Sequence, residues 1–351
     1  MTNKFQLDSL YKNFVEAFPK FIEDRNLNLD SKHKSIVNEI SNLGLSSINL
    51  LNVRDWDKQN DLGAPLSLRY LKQNRELKIQ YFIKLVYQKF FKRSNSRLLK
   101  QTLLDDIQVL KLIEALDLLA RNPVSNTPGK TLWMASGDLI FNMRWLRYIY
   151  LAQIINKKNL LHSKGTWIDV GSFYGGLQGI VKKFNPDSKI IMVDFHHQLY
   201  RSYIYLNHLY PDQKHFLGIT PELETNSGSF HYIPVTEFNK IPDMNIDLFT
   251  NFFSFGEMLR KDFSEYISSN LFNKSKNIYT VNRFVSAPFF EPTYDSDLTV
   301  LDYNFKNHQN IYFDIFPMHH FQQIKRNLFG ILRARNVSSP YFELIATLKS
   351  N

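Results

Sequence analysis

Apolar residues recur with a helical period over the first third of this chain and gather into short continuous runs over the rest; the change falls near residue 130. Ile79, Phe82, Ile83, Val86 and Phe90 share one helical face, and Leu103, Ile107, Leu110 and Leu118 follow with charges between them. Asn122, Pro123, Asn126, Pro128 and Gly129 break the pattern, and a further aromatic-rich helix is predicted over residues 138–156. Strand-like runs then alternate with helical stretches: 166–170, 189–195, 229–235, 247–252, 278–284, 311–316 and 341–348. This order predicts an α/β fold, a doubly wound sheet preceded by an α-helical N-terminal region. The expected division is a helical cap over 1–125, a connecting segment and helix over 126–160, and a ligand-binding sheet domain over 161–351. No internal repeat or low-complexity tract interrupts it.

The most informative chemistry lies where the first long strand ends. Trp167, Ile168 and Val170 close a buried run, and Gly171 and Gly175 bracket a tight turn into a helix starting near Leu177. Glycine lacks a Cβ, so such a turn can take φ > 0 and bring backbone amides close to a ligand at the open end of a parallel sheet. Asp194 ends the next strand, about 20 residues on, where a carboxylate can accept hydrogen bonds from both ribose hydroxyls of a nucleoside. A nicotinamide dinucleotide fits poorly. Its diphosphate needs a second glycine for close backbone approach, and here Ser172 and Phe173 fill that stretch, with Asp169 adding negative charge beside it.

The segment IDVGSFYGG, Ile168 to Gly176, followed by KIIMVDF, resembles the cofactor loop of S-adenosylmethionine-dependent methyltransferases. That donor has no diphosphate, and Asp169 could receive its ammonium directly or through water. A second block is more specific. IDLFTNFFSFGEM, Ile246 to Met258, and then IYTVNRF, Ile278 to Phe284, are similar to the fourth and fifth strands of a sugar O-methyltransferase family. Asp247, Leu248, Asn251, Ser254, Phe255, Glu257 and Met258 match its DLxxNxxSFxEM pattern, and Asn282 and Arg283 match its NR. The resemblance covers residues 120–290 and hardly touches the first hundred. Phe173 stands where the family often has glycine, and Asp194-Phe195-His196-His197 replaces its Asp-Leu-Pro-Glu.

The resemblance implies a Rossmann-like methyltransferase sheet, with the last strands forming the antiparallel hairpin usual in that fold, and S-adenosyl-L-methionine as cofactor. It implies donor contacts from Asp169, Gly171, Ser172, Tyr174, Gly175, Asp194, Phe195 and Asn251. The acceptor is expected to be a small-molecule sugar, a nucleotide-sugar or a glycan precursor, methylated on a hydroxyl. A sugar hydroxyl is a weak nucleophile and needs a base or a metal. Ligands lie over the carboxyl ends of the strands in a doubly wound sheet, so Asn251, Ser254 and Glu257 are placed to face methyl and acceptor, with Glu257 the first candidate base. His196 and His197 compete for that role, because an imidazole titrates nearer neutrality. Adjacent histidines in extended chain point to opposite sides, so neither that pair nor His319-His320 makes a two-ligand metal site alone. No metal ligand is assigned, and the need for a metal is left open. Arg144, Arg147 and Tyr148, on the helix entering the sheet domain, join Asn282 and Arg283 as candidate acceptor contacts. Two other readings stay open: a methyltransferase for another small-molecule oxygen or nitrogen acceptor, and an inactive methyltransferase-like subunit that binds a partner.

Composition narrows the classes. The 351 residues contain no cysteine, which excludes disulfides, thiolate metal sites and cysteine nucleophiles. A hydrophobic content of 44% gives ample core without staples. The net charge of +10 is concentrated between residues 66 and 100, where Glu76 is the single acid. This basic segment reads as a solvated helix face, or as an electrostatic attractor for an anionic partner. Nucleic acid is disfavoured, because no zinc ligands, recognition helix or RNA-binding aromatic signature accompanies the charge. No run reaches the roughly 20 apolar residues of a membrane span, and the N-terminus lacks the features of a secretory signal, so a cytoplasmic location is expected. A homo-oligomer is left open.

Overall fold

The computed structural model describes residues 4–19, 45–50, 53–54, 103–129, 131, 133–224, 228–286, 298–318, 323–326, 332–335 and 341–349. The basic segment 66–100 and His319-His320 lie outside the described residues. In chain order the elements are α1 (Lys4–Ala17), β1 (Met134–Ser136), β2 (Leu139–Phe141), α2 (Met143–Lys157), β3 (Thr166–Val170), α3 (Gly176–Phe184), β4 (Lys189–Asp194), α4 (His196–Leu209), β5 (Lys214–Leu217), β6 (Ser229–Pro234), β7 (Leu248–Phe252), α5 (Arg260–Ser268), α6 (Asn270–Asn273), β8 (Asn277–Arg283), β9 (His308–Ile315), β10 (Gln323–Arg326), β11 (Leu332–Arg335) and β12 (Tyr341–Leu348). Short helical segments at 103–112 and Leu116–Arg121 precede β1. Two compact units divide the chain, one of residues 1–53, 154–316 and 340–351, the other of 54–153 and 317–339. α1 groups with the sheet.

The first unit is built on an eight-stranded sheet in the order β5-β6-β4-β3-β7-β8-β12-β9. Neighbours from β5 to β8 are parallel, whereas β12 runs antiparallel to both β8 and β9. This is the doubly wound methyltransferase sheet with its antiparallel closing pair, extended at one edge by β5. All residues of β3, β4 and β6 are buried, because both faces of a parallel sheet are covered, and this is why these strands read as unbroken apolar runs. One face carries Ile168, Val170, Ile191, Val193, Phe249 and Phe342 into a core with Phe238, Phe263, Leu271 and Phe272. On the other, α3 and α4 pack together: a Cβ on Gly179 would stand 3.3 Å from Leu209 Cδ1. The amphipathic α1 docks on α4 through Phe14, whose ring lies 4.9 Å from that of Tyr200.

The strand at Lys214–Leu217 is absent from the sequence expectation, since four residues opening on Lys-His carry too little periodicity to register. The helix expected at 138–156 starts later. Gly137, at φ +58°, turns β1 into β2, and Asn142 then opens α2 by accepting the Trp145 N–H at 2.9 Å. In the second unit, Trp145 Nε1 donates to Asn122 O at 2.6 Å, and Gln153 Nε2 donates to Glu114 O at 3.0 Å. Those bonds tie the chain-breaking segment and the preceding turn to α2. Among the described residues no helix is long and apolar enough to cross a membrane.

Candidate active site

The loop between β3 and α3 takes its shape from three left-handed residues. Gly171 has φ +80° and Gly175 φ +85°. Gly171 is required twice over, since a Cβ there would also meet Ser254 Oγ and stand 2.8 Å from Ser254 Cβ. Between them Phe173 adopts φ +57°, a conformation that costs an L-residue about 1–2 kcal/mol. Phe173 thus takes a backbone conformation that glycine adopts more readily. Two bonds hold it there: Gly171 N–H donates to Val193 O at 2.8 Å, and Phe173 N–H donates to Asp194 Oδ2 at 2.7 Å. A bond to an ionised acceptor contributes about 1.5–3 kcal/mol, enough to offset the strain. Asp194 Oδ1 accepts the Phe195 N–H at 2.7 Å. Asp194 thus shapes the loop as well as standing at the end of β4.

Asp169 is buried in β3 and accepts from Thr250 Oγ1 at 2.5 Å and from Gln178 Nε2. Burial pushes its carboxyl up to about 8; the Thr250 bond opposes this and the charge of Asp194 adds to it. Gln178 Oε1 and Ser172 Oγ are buried with no hydrogen-bond partner. The glycine turn thus has a carboxyl kept neutral near pH 7 beneath it and an unfilled hydroxyl within it.

The ends of β7 and β8 form one hydrogen-bonded node. Asn251 Nδ2 donates to Val170 O at 2.8 Å and to Ser254 Oγ at 2.5 Å. Its Oδ1 accepts from Phe255 N at 2.8 Å and Asn282 Nδ2 at 3.0 Å. Asn282 Oδ1 accepts in turn from Gly256 N at 3.0 Å. Both asparagine amides are therefore engaged within the protein, where they set the backbone after β7 against β3 and β8. Glu257 is half-buried at the end of the short helical turn Phe255–Glu257, its N–H bonded to Ser254 O at 2.9 Å. Arg283 ends β8 beside that turn, its N 3.3 Å from where a Gly256 Cβ would be.

The remaining expected residues fall in several places. Phe195 is the N-cap of α4, and its ring stacks with His197 at 5.9 Å. His196 and His197 occupy the first turn of that helix rather than extended chain, and His196 meets the Phe18 ring edge-on at 5.1 Å. Tyr174 is fully buried beneath the loop against Tyr205, with ring centroids 5.1 Å apart. Arg144, Arg147 and Tyr148 lie on the first half of α2, within the second unit. The structure brings together Gly171, Ser172, Asp194, Asn251, Ser254 and Asn282 by direct contact or shared bonds. Thr250 and Gln178, the partners of Asp169, escaped sequence reasoning; Gln178 lies in the first turn of α3, one helical step from the loop, and its polar side chain among apolar neighbours was the available signal. Among the described residues no group of three or more His, Asp or Glu side chains could hold a metal ion.

No protein-family profile matches the chain, and no curated protein does. Solved structures are similar at low identity. A SAM-dependent methyltransferase from Aquifex aeolicus is 14% identical over 56% of this chain and 89% of its own, with a TM-score of 0.34. TehB from Haemophilus influenzae is 13% identical over 61% and 72%, with a TM-score of 0.36. The pyocyanin biosynthetic protein PhzM is 12% identical, with a TM-score of 0.32; the match spans 58% of each chain. The fold assignment rests on the strand order and the closing antiparallel pair. The chain has a doubly wound α/β sheet of the methyltransferase type, closed by an antiparallel pair.

Proposed function

We propose that this chain is an S-adenosylmethionine-dependent O-methyltransferase whose acceptor is a sugar, a nucleotide-sugar or a glycan precursor. The observation that carries the donor assignment is Phe173, held in a left-handed conformation by the Asp194 carboxylate. A loop strained into that shape without its usual glycine is one whose shape matters. The cofactor fits the residues present. Ser172 Oγ, buried and unpartnered, would receive the methionine carboxylate; Asp169 would receive the ammonium and ionise as it does so; Asp194 would bind ribose hydroxyls with its remaining lone pairs. When bound, the donor supplies a methyl group already activated by positive sulfur. Glu257 would orient the acceptor hydroxyl and take its proton on a carboxylate oxygen, while Asn251 and Asn282 hold the Ser254–Glu257 turn in place. The sugar acceptor rests on the resemblance of Ile246–Met258 and Ile278–Phe284 to one family.

Calorimetric titration with S-adenosylhomocysteine tests the donor assignment. Wild type is expected to bind it, and Asp194→Ala, which removes hydrogen bonds to a charged acceptor and loosens the loop, is expected to weaken binding by about 10–100-fold. Unchanged affinity in that variant, or tight binding of NAD by wild type, would overturn it.

A further inference from the structure

Arg283 is a half-buried arginine that no described residue neutralises. Its Nε is enclosed without a hydrogen-bond partner, and its guanidinium makes no hydrogen bond or ion pair among the described residues. Arg260 shows the contrast. It pairs through Nη1 and Nη2 with both oxygens of Asp302, the second bond at 3.2 Å, and holds that carboxyl below its ordinary range. Packing, rather than charge, places Arg283. Its guanidinium carbon lies 5.4 Å from the Tyr341 ring centroid, and its Cβ and Cγ lie 3.4 and 3.5 Å from where a Gly256 Cβ would be. Tyr341 is itself braced edge-on by Phe253 at 5.1 Å, and Phe253 by Phe316 at 5.7 Å. Phe253 is held at φ +71°, so this support too is built at a cost in backbone strain. An arginine fixed by its stem, set over an aromatic ring and without an acceptor among the described residues is a preorganised fork for an oxyanion. Folding alone would be served as well by methionine, which packs without leaving a buried donor unfilled.

Arg283 ends β8 beside the turn that carries Glu257, at the carboxyl end of the sheet where ligands of doubly wound folds lie. We propose that Arg283 receives an oxyanion of the methyl acceptor, a carboxylate or a phosphate, so that the acceptor is an anionic sugar derivative and not a neutral one. This rests on the methyltransferase reading above for the word acceptor; the oxyanion site itself does not.

The full chain, as wild type, Arg283→Lys and Arg283→Met, is titrated calorimetrically with glucuronate, glucose 1-phosphate and glucose, and separately with S-adenosylhomocysteine, and the Tm of each protein is recorded. One of the two anionic sugars is expected to bind wild type about tenfold or more tightly than glucose, and the one that does distinguishes carboxylate from phosphate. That preference is expected to vanish in Arg283→Met and to persist in part in Arg283→Lys, which keeps the charge but loses the fork. Arg283→Met is expected to melt no lower than wild type. Equal binding of all three sugars, a preference surviving in Arg283→Met, or a Tm several degrees lower in that variant would overturn the proposal. Failure of wild type to bind S-adenosylhomocysteine would remove the methyltransferase reading, while the sugar preference alone decides Arg283.

Discussion

The two ends of the same sheet treat their buried polar groups in opposite ways. At the amino ends of the strands these groups are matched to backbone carbonyls and to each other. Lys182 Nζ donates to Ser188 O at 2.6 Å, Asn185 Nδ2 to Leu161 O at 3.4 Å, and Asn277 Nδ2 to Leu160 O at 3.0 Å. Asp247 Oδ2 accepts the Thr166 N–H at 2.9 Å, and Ser229 Oγ meets His231 Nε2 at 2.9 Å. His231 Nδ1 and His308 Nδ1 are exceptions; burial lowers both imidazoles, that of His231 to about 3, hence neutral. At the carboxyl ends the backbone is strained at Phe173 and Phe253, and Ser172 Oγ, Gln178 Oε1 and Arg283 Nε have no hydrogen-bond partner. Strain and unfilled donors or acceptors thus lie at the carboxyl ends, beside the candidate site.

Three substitutions would break or sharpen this contrast. The largest effect is expected from Glu257→Gln, which keeps shape and removes charge: single-turnover methyl transfer should fall by about 10²–10⁴-fold while S-adenosylhomocysteine affinity barely changes. A near-normal rate would remove Glu257 from the chemistry, and loss of wild-type activity on chelation would transfer the role to a metal. At the other end, Asn277→Ala leaves Leu160 O without its donor in a buried site, and chemical denaturation should show a loss of about 1–3 kcal/mol with donor-product affinity unchanged. If affinity fell with stability, the two ends would not be separable. The smallest effect belongs to Phe173→Gly. Relief of about 1–2 kcal/mol of backbone strain is set against the lost edge contact with Tyr174, worth about 0.5–1.5 kcal/mol, and against glycine's greater freedom when unfolded. Stability should therefore stay within about 1 kcal/mol of wild type by denaturant titration, and a larger loss would show that the ring itself anchors the loop.

Much of the sheet was legible because parallel strands buried on both faces leave continuous apolar runs. β3 and β12 fall where those runs predict them, and β4, β6, β7 and β8 fall within one residue of the predicted bounds at either end. The glycine turn was legible for the same local reason, since Gly171 and Gly175 punctuate the end of such a run. Elements with weak periodicity were not: β5 is too short, and the hairpin of β1 and β2 sits inside a stretch whose aromatic spacing also suits a helix.

What the sequence by itself determined, then, is the order of the long buried strands, the glycine turn and the identity of the polar residues at the strand ends, because each follows from neighbours within a few positions along the chain. Only the tertiary structure decided how those residues divide their work. Asn251 and Asn282 spend their amides on each other and on the backbone across 31 residues of chain, Asp169 is closed over by Thr250 and Gln178, and Asp194 grips the loop through Phe173. Arg283, of the same motif as Asn282, meets the Tyr341 ring and has no acceptor among the described residues. A hydrogen bond is a property of two groups within about 3 Å, and which groups meet at that distance is settled by the packing of strands far apart in sequence, so motif membership alone does not separate an engaged side chain from an unfilled one.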